Sequence, residues 1–92
     1  MTEQGPRWIR EEGVAFEAFG EEAVVLDLRA GTYYRLNAVA ARAWMFLDTP
    51  RRAESLVEEL AALYEVDRST LSADVESLLR DLLGAALVRK SA

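Results

Sequence analysis

The chain reads as an α+β domain, winged helix-turn-helix-like, with an N-terminal three-stranded antiparallel sheet followed by three helices. Three observations predict this. The segment 24–44, VVLDLRAGTYYRLNAVAARAW, holds two strand-like runs joined by Ala30-Gly31, then switches to helical spacing after Leu36-Asn37. Two further apolar runs at spacings of three and four follow, broken at Glu65-Val66-Asp67. The length, 92 residues, suits a single domain spanning 1–92 with one small core, ordered over about residues 6–89.

Taken in order, Met1–Gln4 reads as a frayed end and Pro6–Arg10 as a short extended piece. Val14–Phe19 is the first strand. Phe16 and Phe19 cannot share one face of a regular strand, which predicts a bulge or an early end near Ala18. Gly20-Glu21-Glu22 is a turn. The second strand, Ala23 to Arg29, places Val24, Leu26 and Leu28 on one face and Val25, Asp27 and Arg29 on the other. The third strand, Thr32–Leu36, carries Tyr33 and Tyr34 side by side, so one points into the core and the other away from it. Little chain remains to cover the outer edge of this strand. An uncovered edge is either protected or used to bind another chain.

Asn37 is a suitable N-cap for a helix from Ala38 to Leu47, which Asp48-Thr49-Pro50 ends. The second helix, Ala53–Tyr64, has the stripe Leu56, Val57, Leu60, Leu63 and Tyr64 opposite Glu54, Glu58 and Glu59. The third begins near Asp67 or Ser69 and runs to Leu83. Its face of Leu71, Val75, Leu78, Leu79 and Leu82 is wide enough for part of it to line a groove beside the third strand. Asp74 lies at the margin of that face, as a surface charge or a groove-edge acceptor. Gly84 is expected at the C′ position, free to take the left-handed conformation. Ala86-Leu87-Val88 is extended, and 89–92 reads as a tail.

Composition narrows the function. The chain contains neither cysteine nor histidine, so disulfides, thiolate chemistry, His or Cys metal sites and the commonest general base are all excluded. The serines have no histidine to activate them, and no sequence feature groups the acids. The expectation is a protein with no catalytic residues, no metal and no cofactor. The net charge of −5 disfavours nucleic acid, because affinity for phosphate backbones comes from Lys and Arg. The third helix, which would be the recognition helix of a DNA-binding winged helix, carries Asp67, Asp74, Glu76 and Asp81 against Arg68 and Arg80. That charge sets a winged-helix transcription regulator aside. No apolar run approaches the ~20 residues that span a bilayer, and the N-terminus lacks a signal core; a cytoplasmic protein without membrane association is expected.

The ordered set Leu26–Leu36 with Asn37, Ala40-Ala41-Arg42-Ala43-Trp44, Leu47-Asp48, Leu56, Leu60, Tyr64, Asp74-Val75, Leu78-Leu79, Leu82 and Leu87 resembles the PqqD-like family over residues 6–89. The Leu-Asn start of the first helix and the Asp-Val-x-x-Leu-Leu segment carry most of the likeness. The resemblance implies a recognition element for ribosomally made precursor peptides: a non-catalytic domain that holds a leader segment while partner enzymes act on the rest. The Ala30-Gly31-Thr32-Tyr33-Tyr34 hairpin is more similar to the stand-alone subunits of split lasso-peptide maturation proteases than to members serving pyrroloquinoline quinone synthesis. The implied partners are a leader peptide, a separate transglutaminase-like protease and a cyclase. The leader would add as a strand along Thr32, Tyr33, Tyr34, Arg35 and Leu36, beside a groove bounded by Asp74, Val75 and Leu78 of the third helix. A groove that instead closes a dimer is the competing structural reading.

Overall fold

In the computed structural model, which describes residues 5–91, the chain runs β1 (Arg7–Arg10), β2 (Val14–Phe19), β3 (Glu22–Asp27), β4 (Thr32–Leu36), α1 (Ala38–Phe46), β5 (Arg51–Arg52), α2 (Ala53–Leu63), α3 (Arg68–Gly84) and β6 (Val88–Ser91). The α+β class holds, and the helices fall where apolar spacing placed them. The expected third strand is β4. Met1–Gln4 and Ala92, read above as chain ends, lie outside the described residues.

β2, β3 and β4 form an antiparallel meander in that order. Its pairing runs without interruption from Val14↔Asp27 to Phe19↔Glu22, so the bulge expected near Ala18 is absent. The two phenylalanines take opposite faces instead. Phe16 packs edge-on against Trp44 at 6.4 Å, and Phe19 points outward, 60% exposed. The second strand stops at Asp27, two residues earlier than expected. Asp27 Oδ1 accepts the backbone N–H groups of Arg29 at 2.9 Å and Ala30 at 3.3 Å, which turns the chain locally. Gly31 completes the loop with φ 72°, and its N–H donates to the Asp27 carbonyl at 2.8 Å.

The registers Ala23↔Leu36, Val25↔Tyr34 and Asp27↔Thr32 put these six residues on the inner face of the meander. Ala23, Val25, Asp27 and Leu36 are buried there. Val24, Leu26, Tyr33 and Arg35 share the outer face. α1 packs on the inner face, with Trp44 at its centre and 1% exposed. Leu56 and Leu60 of α2 and Leu71, Val75, Leu79 and Leu82 of α3 complete one core. Each such side chain contributes about 1.5–3 kcal/mol by leaving water.

The chain ends depart from expectation. Residues 89–91 are not a tail: they belong to β6, which pairs with β1 from Arg7↔Ser91 to Arg10↔Val88. β5 adds to the other side of β1, making a second three-stranded sheet, β5-β1-β6. Two to four residues rich in arginine carry no readable alternation, and this sheet exists only because distant segments meet. Gly84 is likewise still helical. The left-handed residue is Ala86, φ 62°. The Ala86 N–H donates to the Leu83 carbonyl at 3.0 Å and the Leu87 N–H to the Leu82 carbonyl at 2.9 Å, a Schellman closure two residues later than expected. Burial of Leu87 (1% exposed) fixes that position.

Candidate functional site

β4 is an edge of the meander, and its outer side has no strand partner among the described residues. Beside it lies a cleft of about 360 Å³. One wall is Arg35, Leu36 and Asn37 with Val39, Ala40 and Ala43 at the start of α1; the other is Asp74, Val75, Ser77, Leu78 and Asp81 of α3. Leu60 of α2 contributes to the floor, as do Ala43, Val75 and Leu36, all 3% exposed or less.

Local chemistry shapes both walls. Asn37 holds an extended conformation (φ −71°, ψ −179°), and its side chain accepts the Ala40 N–H at 2.9 Å. This cap converts the end of β4 directly into α1, so Val39 and Ala40 open onto the cleft in the first helical turn. On α3, Asp74, Leu78 and Asp81 stand four and three residues apart, which stacks them along one helix face. Asp67 caps α3, accepting from the Thr70 N–H at 3.3 Å. Hydrogen bonds from the Ser69 hydroxyl and the Thr70 N–H hold its carboxyl below the ordinary range.

The hairpin tip is tied to the far end of α3. The Arg29 guanidinium bonds Asp27 Oδ1 at 3.3 Å and the Ala86 carbonyl at 3.0 Å. Burial pushes the Asp27 carboxyl up, but the bonds from the Arg29 and Ala30 N–H groups and the Arg29 side chain outweigh it, holding the carboxyl below the ordinary range. Asp27 is the buried acid among the described residues, at 4% exposure, and alternation alone assigned it only to a face.

Of the residues expected at a site, Arg35, Leu36, Asp74, Val75 and Leu78 line the cleft together. Thr32, Tyr33 and Tyr34 belong to the same edge strand but not to the cleft lining. Tyr34 is the inward tyrosine, opposite Val25; Tyr33 is on the outer face, 66% exposed. Val75 is floor rather than rim, at 2% exposure, and Leu78 is the half-buried apolar residue of the α3 wall. Sequence reasoning did not place Ser77 and Asp81 here, and assigned Asn37 only a capping role. The signal for Asp81 was its helical spacing from Asp74 and Leu78.

Backbone and cleft together fit an extended peptide. A strand laid against β4 would lie about 4.8 Å from it, and every second side chain would face the cleft. Among the described residues there is no cluster of three or more Asp or Glu able to hold a metal, and no helix long and apolar enough to cross a membrane.

Residues 22–88 match the family profile described as coenzyme PQQ synthesis protein D (PqqD). The chain belongs to the PqqD family. Among solved structures, "TbiB1 in Complex with the TbiA(beta) Leader Peptide" is similar to it at 34% identity and TM-score 0.80, covering 91% of this chain and 98% of TbiB1. "Lasso peptide synthetase B1 complexed with the leader peptide" is similar at 23% identity and TM-score 0.76, covering 89% and 96%. The second likeness is one of fold. No curated protein matches the chain.

Proposed function

We propose that this PqqD-family chain is a non-catalytic leader-binding subunit of lasso-peptide biosynthesis. It holds the leader of a ribosomally made precursor peptide and presents the remainder to a separate maturation protease, of transglutaminase-like type, and to a cyclase, in the cytoplasm. The observation that carries the reading is the conjunction of an open β4 edge with an apolar-floored cleft, in a chain whose 34%-identical relative TbiB1 is described in complex with a leader peptide.

The leader adds antiparallel or parallel to Thr32–Leu36. Backbone hydrogen bonds to β4 supply affinity that is indifferent to sequence, and the cleft between β4 and α3 selects side chains. Arg35, Leu36, Asp74, Val75 and Leu78 form the selective contacts, with Thr32, Tyr33 and Tyr34 continuing the strand platform. Ordering a free leader offsets about 2–5 kcal/mol of the gross interaction. The chain's charge fits this use better than a DNA-binding one: α3 and its cap carry four acids against two bases.

Fluorescence anisotropy of the labelled cognate leader, titrated with the purified chain, tests the proposal. Saturable one-to-one binding is expected. Absence of saturation with a folded protein would overturn it.

A further inference from the structure

The cleft has a charge character that leader binding alone does not require. Asp74 and Asp81 stand on the α3 rim on either side of the apolar Leu78, and both are exposed. Neither carboxylate has an ion-pair or hydrogen-bond partner among the described residues. Four arginines are taken up by other acids: Arg35 by Glu22, Arg68 by Glu58, Arg51 by Glu59 and Arg89 by Glu11. The cation of the opposite wall, Arg35, is therefore already engaged, at 3.3 Å from Glu22. The arginine in the body of α3, Arg80, lines a different groove on the other side of the helix. The net charge of −5 extends the same sign over the whole molecule.

We infer that Asp74 and Asp81 are specificity determinants that select a guest strand carrying Lys or Arg on each side of an apolar residue. This rests on the leader-binding reading above and adds the chemical class of the peptide. Seven residues of helix separate the two carboxylates by about 10.5 Å along the α3 axis. In an extended guest, side chains two positions either side of a central residue lie on the same face and span about 13.6 Å. Long flexible cationic side chains close that difference. The guest pattern is Lys/Arg, any residue, apolar, any residue, Lys/Arg. The apolar side chain sits against Leu78 over the Val75 floor, and the cations meet Asp74 and Asp81. Seating the guest also removes water around each pair, which strengthens it relative to a free surface pair.

Selection of a displayed library of random 16-residue peptides on the purified full-length chain, and in parallel on D74N/D81N, tests the inference. Both substitutions are at exposed positions, and circular dichroism with an unfolding curve verifies the fold. Wild type should enrich peptides with paired Lys or Arg around an apolar residue. D74N/D81N should still enrich the apolar residue while losing the cations. A recovered peptide should bind D74N/D81N about fivefold to thirtyfold more weakly than wild type, from two pairs of moderate strength. The gap should narrow from 50 to 500 mM salt, as screening of such pairs requires. Enriched peptides with no cationic preference, or a preference unchanged in D74N/D81N, would overturn this inference and leave leader binding standing. Failure of the folded wild type to enrich any peptide would overturn the leader-binding reading and this inference with it.

Discussion

The two three-stranded sheets of this molecule are built in opposite ways. The meander β2-β3-β4 is local: three consecutive strands, two tight turns, and one edge left open beside a cleft. The sheet β5-β1-β6 is assembled from segments at the start, middle and end of the chain, and β1 is its centre. The Lys90 ammonium lies 5.5 Å from the centroid of the Trp8 ring, and the Arg51 guanidinium is 5.2 Å from that of Phe46. Arg51 also pairs with Glu59 of α2. The difference assigns them different work. On the proposed reading the local sheet offers the template for a guest strand, while the non-local sheet joins β6, which follows α3, to β1 and β5.

Substitutions should separate these roles. Leu78→Glu places a charge on the cleft wall at a half-buried position, next to Asp74 and Asp81. Leader affinity should fall at least about thirtyfold, equivalent to about 2 kcal/mol, while the unfolding midpoint moves little. Titration and a denaturant curve on one preparation check both halves. Val75→Glu is a poorer probe, since a charge at its buried position would unfold the core.

Trp8→Ala should give the inverse result. Losing a half-buried indole should lower stability by about 2 kcal/mol, below the 3–5 kcal/mol of a fully buried tryptophan, and leave the leader affinity of the folded fraction within about twofold. Urea unfolding with anisotropy titration separates the two quantities. If Trp8→Ala abolishes binding in folded protein, the non-local sheet and the template are not independent.

Ala86→Gly should act in the opposite direction. Alanine at φ 62° carries a steric cost that glycine does not, so stability should rise by about 1 kcal/mol, read as a higher Tm.

Acid should loosen the hairpin tip. The folded Asp27 carboxyl lies below its ordinary value of 3.8, so its contribution is fully present above that value and is lost as pH falls through the folded value. Asp67 acts in the same direction. The Tm should drop below about pH 4, and less steeply in Asp27→Asn, in a calorimetric series. The smallest effect belongs to the exposed pair Arg35–Glu22: Glu22→Gln should change stability by less than about 1 kcal/mol.

The same contrast governs what was legible in the sequence. β2 to β4 and the three helices were readable because period-two alternation, Gly31 and the Asn37 cap act over a few residues. The stripe of α3 even indicated that part of its face would border a groove, which is where Leu78 lies. β5 and β6 were not readable, because Arg51–Arg52 and Val88–Ser91 become strands only through pairing with β1. The Schellman closure at Ala86 was missed because burial of Leu87 overrides the conformational preference of Gly84. The candidate site was half legible: Arg35, Leu36, Asp74, Val75 and Leu78 line one cleft, but Asp81 becomes visible as a rim residue only once the helix is seen against β4.

The central claim is that a peptide strand adds to β4 over the cleft. Amide hydrogen exchange of the chain with and without its cognate leader tests it most directly. Slowed exchange confined to Thr32–Leu36 and to the α3 segment 74–81, with β1, β2 and β6 unchanged, is the expected result. Protection that appears instead along β2 or within β5-β1-β6, with β4 unaffected, would contradict it.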